Sequence, residues 1–400
     1  MIFLLRVIIK SQKNIFSLSF IFSILSFFLV VFPLLIDSFM FFIGNGREWV
    51  FLLNSTLPVF PYIINANTLF DIALFVMLFN FIVLLRIEKN VVSNEFILRY
   101  FFKKRNENID LFKLLLIFSY LGFLFYVYVY GFSLSDAGFG NTTSLNRPKS
   151  LFDSILIVVI QTLLPLSAIP FFFYYFNKKF ILSFFSVLPV LLITYYTNER
   201  THIVPHIIFF LFGYLLKVQF SIFKLVKIFL LGFFIFYFLR FIRIGFENPL
   251  EFIVNNLYPV YRDDSSSNLY YSFDRFDQLS SDFKGLYKLL FIDSSTSFDV
   301  TKNLAEYRVN WEEGSLHPTL YGWAYIDMKW YGLFLALIYR ICFYAYNSIS
   351  VNYNKFKIIL FPIFILFIVV SLRGSVQFAW SHFLYSFVLL MIIMFLLRRK

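Results

Sequence analysis

Apolar runs of about 20 residues recur along this chain, separated by short polar turns, and they decide what it can fold into. A hydrocarbon layer of about 30 Å needs about 20 helical residues at 1.5 Å each, so one such run is long enough to cross a bilayer. With 60% hydrophobic and only 14% charged residues, the chain lacks the polar surface that a soluble fold of 400 residues must present. The alternating pattern of a membrane barrel is absent, so the runs read as helices. The expected fold class is all-α: a polytopic integral membrane helix bundle of about ten transmembrane helices with one long external loop.

The spans read as Ile15–Ile36, Thr68–Leu85, Leu114–Tyr130, Leu151–Phe176, Phe180–Thr197, Ile203–Leu216, Ile228–Ile242, Tyr331–Tyr346, Ile358–Leu372 and Phe378–Leu397. Ile15–Ile36 is too long for a cleavable leader and no small-residue cleavage site follows it, so it reads as the first span. Pro165 and Pro170 are expected to kink the fourth. The polar stretch Ile244 to Leu316 interrupts this series, and Leu320 to Trp330 reads as an aromatic, amphipathic interfacial helix before the eighth span. The chain thus divides into an N-terminal bundle (1–243), an external loop with its interfacial helix (244–330) and a C-terminal bundle (331–400).

An even number of spans puts both termini on one side. That side holds 20 of the 35 Lys/Arg and only four acidic residues. Its short loops are almost purely basic, so by the positive-inside rule both termini are cytoplasmic and the long loop is external. The net charge of +12 is explained by these cations between spans, and no nucleic-acid partner is expected.

Several chemistries have no seat. No Gly-rich phosphate loop precedes a Lys-Ser/Thr pair, and there is no His-Glu-x-x-His, no Cys/His cluster and no Asp-x-Asp. The single Cys342 lies in an apolar run and forms no internal disulfide. His202 and His206 are four apart but have no third ligand nearby, so no metal site is assigned. No cofactor is expected.

What the outward side does carry is arginine. Arg200 sits in the turn Asn198-Glu199-Arg200-Thr201, and Arg240 and Arg243 share one helical face at the end of the seventh span. Arg262, Arg275 and Arg308 lie in the long loop, and Arg373 ends the ninth span in Arg373-Gly374-Ser375. Arginine grips phosphate or carboxylate with a rigid fork of donors and stays charged near low dielectric. Such a set beside an apolar bundle suits a lipid-linked pyrophosphate. His317 closes the loop at the water–membrane seam, and an imidazole with an ordinary pKa of about 6.5 is suited to general-base work at neutral pH. The carboxylates nearest to it in sequence are Glu312, Glu313 and Asp327.

The Arg200 turn running into an apolar span resembles the arginine-bearing turn of Wzy-type oligosaccharide repeat-unit polymerases of O-antigen and capsule. The loop end His317-Pro318-Thr319-Leu320-Tyr321-Gly322 resembles theirs, and is also similar to that of O-antigen ligases. The resemblance implies a metal-independent glycosyltransferase in the bacterial inner membrane. It would join undecaprenyl-pyrophosphate-linked oligosaccharides on the outer face, with a chain-length regulator as partner. His317 and Arg200 would then be catalytic. Arg240, Arg243, Arg262, Arg275, Arg308 and Arg373 would hold the pyrophosphate, and Tyr321 would line the sugar or lipid groove. An O-antigen ligase shares this logic. A lipid-linked glycan flippase is the alternative from another class, and it leaves the long outer loop without a purpose.

Overall fold

A computed structural model of the chain describes residues 17–31, 34–35, 66–85, 109–130, 151–197, 201–217, 223, 227, 265–289, 300–309, 317–349, 354–374 and 376–398. Every regular element among them is helical and none is a strand. In chain order they are α1 (Leu18–Ser26, continued by the π-helical turn Phe27–Val31), α2 (Ala66–Leu84), α3 (Ile109–Tyr130), α4 (Leu151–Leu166), α5 (Ala168–Phe176) and α6 (Phe180–Thr197). There follow α7 (Val204–Lys217), α8 (Ser265–Asp274), α9 (Phe276–Leu279), α10 (Lys284–Leu289), α11 (Val300–Val309), α12 (Thr319–Met328), α13 (Leu333–Ser348), α14 (Asn354–Arg373) and α15 (Val376–Arg398). Among the described residues, two helices are long and apolar enough to cross a membrane, Ala66–Leu84 and Phe356–Arg373. Shorter apolar helices cover Leu18–Val31, Phe112–Tyr128, Thr162–Phe176, Phe180–Thr194 and Ala379–Met391.

The fourth apolar run does not merely kink; it breaks into α4 and α5 at Ser167. Pro170 has no N–H to offer the carbonyl of Leu166, and its ring crowds that turn. Ser167 repairs the gap. Its hydroxyl donates to the Leu164 carbonyl at 2.7 Å. Its one hydrogen is then used, so the 2.7 Å contact with His206 Nε2 makes that ring nitrogen the donor to Ser167 Oγ. His206 therefore pins α7 to the break. Among the described residues no three His, Cys, Asp or Glu are grouped to hold a metal ion.

Ring contacts fix the relative directions of the helices. Tyr339 stacks on Phe367 at 5.1 Å and Tyr346 meets Phe364 at 4.9 Å, so α13 and α14 are antiparallel. Trp380 meets Phe367 at 5.2 Å and Phe383 meets Phe364 at 4.7 Å, so α15 reverses again. Phe75 faces Trp330 and Phe79 faces Tyr339, which sets α2 parallel to α13. In the other half, Phe171 faces His206 and Phe176 faces Phe210, so α5 and α7 run parallel. Helix α6 returns along α5 from the turn at Lys178, with Tyr175 against Phe180 at 5.8 Å.

Several helices wear apolar residues outward, α3 and α13 among them. Ile117, Leu121, Leu124 and Tyr128 are exposed on α3, and Phe334, Leu337, Ile341 and Tyr344 on α13. Their spacing of three and four makes each set one continuous stripe. Isolated exposed leucines are ordinary in water, but contiguous stripes of this kind mark a surface that meets something apolar.

The loop residues 265–289 and 300–309 do not stand apart from the bundle. They fold as α8 to α11 around α12, and every residue of α12 is buried. An amphipathic interfacial helix would keep one wet face, and α12 keeps none. Helix α8 lies along it in parallel, with Phe273 stacked on Tyr325 at 3.7 Å. Phe75 and Phe79 of α2 take Tyr325 and Tyr321 edge-on, at 5.5 and 5.1 Å, and Phe75 also meets Phe273 of α8 at 5.6 Å. Such aromatic pairs contribute about 0.5–1.5 kcal/mol each beyond area burial.

Candidate functional site

Residues 317–319 and the end of α14 meet at one point. Gly374 closes α14 with φ +103°, and its N–H donates to the Ser371 carbonyl at 2.8 Å. This is the left-handed ending that favours glycine. A side-chain carbon at Gly374 would lie 2.7 Å from Thr319 N and 2.9 Å from both Pro318 Cδ and Pro318 N. Only a bare backbone fits there.

The facing residue is strained as well. Thr319 has φ 65°, an uncommon conformation for a β-branched side chain, and such a residue costs about 1–3 kcal/mol. Its Oγ1 accepts the N–H of Gly322 at 3.3 Å and so caps the first turn of α12. Just before it, the His317 carbonyl accepts from Asn268 Nδ2 at 3.3 Å, and Asn268 is fully buried. His317 is half-buried, while Arg373 is exposed.

Two of the sequence-predicted site residues are thereby brought together. Arg373 is one residue from Gly374, and His317 is one residue from Pro318. Each consecutive Cα step is about 3.8 Å, so the backbone at His317 lies near the backbone at Arg373. A proton acceptor and an exposed fork of donors on neighbouring backbone segments are the two groups that a transfer reaction with an anionic leaving group requires.

The others are placed differently. Arg275 lies at the far end of α12, where its neighbour Phe276 meets Tyr325 at 5.4 Å and lies under Lys329 Nζ at 5.0 Å. The ten residues of α12 span about 15 Å. Arg275 is half-exposed, and its Nε is 3.3 Å from the Asp274 carboxylate. Arg308 lies on α11. Tyr321 is fully buried, with its hydroxyl 2.6 Å from Ser26 Oγ and donating to Asn80 Oδ1 at 3.2 Å. In this arrangement its ring offers no surface to a sugar and instead ties α12 to α1 and α2. Arg200, Arg240, Arg243 and Arg262 lie outside the described residues, as do Glu312 and Glu313.

Asp327, the remaining carboxylate near His317 in sequence, is fully engaged. Its Oδ1 accepts from Ser281 Oγ and from Gly285 N at 2.7 Å, and its Oδ2 accepts from Leu286 N at 2.7 Å. Backbone bonds from Ser281 N to the Ile326 carbonyl and from Phe283 N to the Asp327 carbonyl wrap the same segment around the end of α12. Burial pushes the Asp327 carboxyl above its ordinary pKa, the three donors pull it back, and the Asp282 charge adds to the rise. Its chemistry is structural: it caps the first turn of α10.

Sequence reasoning missed Asn268, Thr319 and Gly374 as parts of this patch. Glycine after an apolar run is a helix-stop signal, but nothing in the sequence pairs that stop with Pro318 and Thr319. No family model, curated protein or solved structure matches the chain.

Proposed function

We propose that this protein is a ten-span polymerase of the bacterial inner membrane, and that it joins polyprenyl-pyrophosphate-linked oligosaccharide repeat units on the outer face. The observation that carries the reading is the close approach of Gly374 to Pro318 and Thr319, which brings the backbone segments bearing His317 and Arg373 together. Two further features support a bundle threaded in alternating directions. Helices α13, α14 and α15 reverse in turn, and the apolar stripes on α3 and α13 suit lipid.

In the proposed reaction an acceptor-sugar hydroxyl attacks the anomeric carbon of the donor sugar. A new C–O bond forms as the bond to the pyrophosphate oxygen breaks, and polyprenyl pyrophosphate leaves. His317 takes the hydroxyl proton. The fork of Arg373 holds the pyrophosphate and stabilises the charge that develops on it. No nucleotide is required, because the leaving group is already activated.

The test is His317→Ala and His317→Gln, expressed at wild-type level in a strain lacking the native copy. A general base contributes about 100- to 10,000-fold in rate, so both variants should accumulate lipid-linked single units with almost no polymer ladder. A normal ladder from His317→Gln, which accepts no proton at neutral pH, would remove His317 from the chemistry.

A further inference from the structure

Helix α12 is buried all round, so another element must meet the boundary between water and lipid where α13 begins. Tyr331 is 74% exposed in the turn before α13, and the exposed Phe334, Leu337, Ile341 and Tyr344 follow it at intervals of three and four. The ring of Phe283 lies 6.2 Å from that of Tyr331, and Phe283 in turn stacks with Tyr287 at 6.5 Å. Tyr287 is 44% exposed and Phe283 is half-buried. The outward apolar stripe of α13 therefore does not end with its helix. It runs on to α10 and the turn before it, inside the polar stretch expected to be external.

The turn that carries Phe283 is a costly one. Asp282 and Phe283 take φ values of 47° and 68°, both left-handed and neither glycine, at about 1–3 kcal/mol each. Bonds from Phe283 N to the Asp327 carbonyl and from Lys284 N to the Ser281 carbonyl, both 3.0 Å, hold it in place. A segment that only had to pass through water could relax; this one is fixed with its aromatic ring against Tyr331. The side chains name the partner. A tyrosine has an apolar body and a polar tip, and such rings collect at the headgroup level of a bilayer. Lys284 follows Phe283, Lys329 lies two residues before Tyr331, and both are exposed. Lys329 Nζ lies over the Phe276 ring at 5.0 Å, and long lysine stems cover apolar surface while their heads stay wet. The neighbouring Asp274 is paired with Arg275 at 3.3 Å, and Asp282 Oδ1 accepts from Ser280 Oγ at 3.1 Å.

We propose that Phe283, Tyr287 and Tyr331, with Lys284 and Lys329, form a ledge that rests in the headgroup layer of the bilayer, and that this ledge, not α12, is the interfacial element of the chain. In the orientation proposed above, that layer is the outer leaflet. Asp327 ties the ledge to one end of α12, so the lipid surface sets the height of the helix whose other end makes the Thr319–Gly374 contact. The inference rests on the membrane-embedded reading above but not on the transfer reaction.

The test uses the full-length protein in phospholipid vesicles. In a background lacking Cys342, single spin-labelled cysteines are placed by Tyr287→Cys, Tyr331→Cys, Phe334→Cys and Ile341→Cys. Relaxation by oxygen, which concentrates in hydrocarbon, is compared with relaxation by a water-soluble nickel chelate. Depth should increase by up to about 1.5 Å per residue from Tyr331 to Ile341, and the Tyr287 label should read within about one helical turn, 5.4 Å, of the Tyr331 label. Cysteine removes the rings under test, so Tyr287→Trp, which keeps an aromatic ring, is measured beside the wild type. Its added fluorescence should be quenched more by lipids brominated near the headgroup than by lipids brominated at the chain end. A Tyr287 label relaxed mainly by the chelate, with no added quenching in Tyr287→Trp and an Ile341 label still dominated by oxygen, overturns the ledge alone and leaves its rings in water. An Ile341 label relaxed mainly by the chelate sinks the membrane placement of α13 and the ledge with it. Neither measurement uses polymer formation, so the transfer reaction stands or falls separately on His317→Ala.

Discussion

Asp327 holds both of its oxygens against donors from a segment about 40 residues earlier in the chain, and this fixes what replacing it must do. Asparagine would turn one oxygen into an N–H₂ group facing either the Gly285 and Ser281 donors or the Leu286 N–H. We expect Asp327→Asn to destabilise the protein by about 1–3 kcal/mol, measured by thermal unfolding in detergent. The pH dependence has a definite sign. Burial raises the folded carboxyl above its unfolded value, so between those two values the folded state binds more protons than the unfolded chain. Stability should therefore fall as pH rises from the ordinary carboxylate range toward the raised value, and Asp327→Asn should remove that slope. A slope of the opposite sign would mean that the three donors outweigh burial. Tyr321→Phe is a milder change. Asn80 keeps Ser26 at 2.9 Å and the Val76 carbonyl at 2.7 Å, so the expected loss is about 0.5–1.5 kcal/mol by the same measurement.

At the scale of elements, the turn between α5 and α6 closes with two bonds, from Lys178 N to the Tyr175 carbonyl and from Lys179 N to the Tyr174 carbonyl. These are the two bonds of a Schellman cap, and Lys178 takes the left-handed position at φ 60° where glycine is the usual residue. Lys178→Gly should raise stability by up to about 1 kcal/mol, unless its added unfolded-state freedom cancels the gain. A clear loss on thermal unfolding would show that the lysine side chain holds the turn. Helices bounded by strong punctuation were legible in the sequence. Phe180–Thr197 has the same limits as the expected span, because a basic turn precedes it and polar residues follow it. The run Leu151–Phe176 was legible as one kinked helix but not as two, since a proline can either bend or break a helix, and the histidine that pins the break lies 39 residues away. For α12 the position was readable and the surroundings were not. Asp327 reads as a wet residue until its backbone donors are known. The site shows the same division. His317 and Arg373 stand out by their chemistry, whereas the approach of their backbone segments depends on a contact made by a glycine and a strained threonine.

For the whole molecule, the orientation offers a direct test. The orientation expected from the basic residues of the short loops has Ser266, at the start of α8, on the outside. In a background lacking Cys342, Ser266→Cys should react with an impermeant thiol reagent in intact spheroplasts. Labelling only after lysis would reverse the topology and take the proposed chemistry with it. The triangle of Ser26, Asn80 and Tyr321 also has a consequence for biogenesis. Its hydroxyl members are 295 residues apart. At about 5–20 residues per second of synthesis, roughly 15–60 s pass between the making of Ser26 and of Tyr321. During that time two polar side chains wait in an apolar setting, and the 2.9 Å bond from Ser26 to Asn80 lets them shelter each other. The first two helices can thus form a stable pair early, holding open a polar berth for α12 that is filled only when the nascent chain is mostly complete.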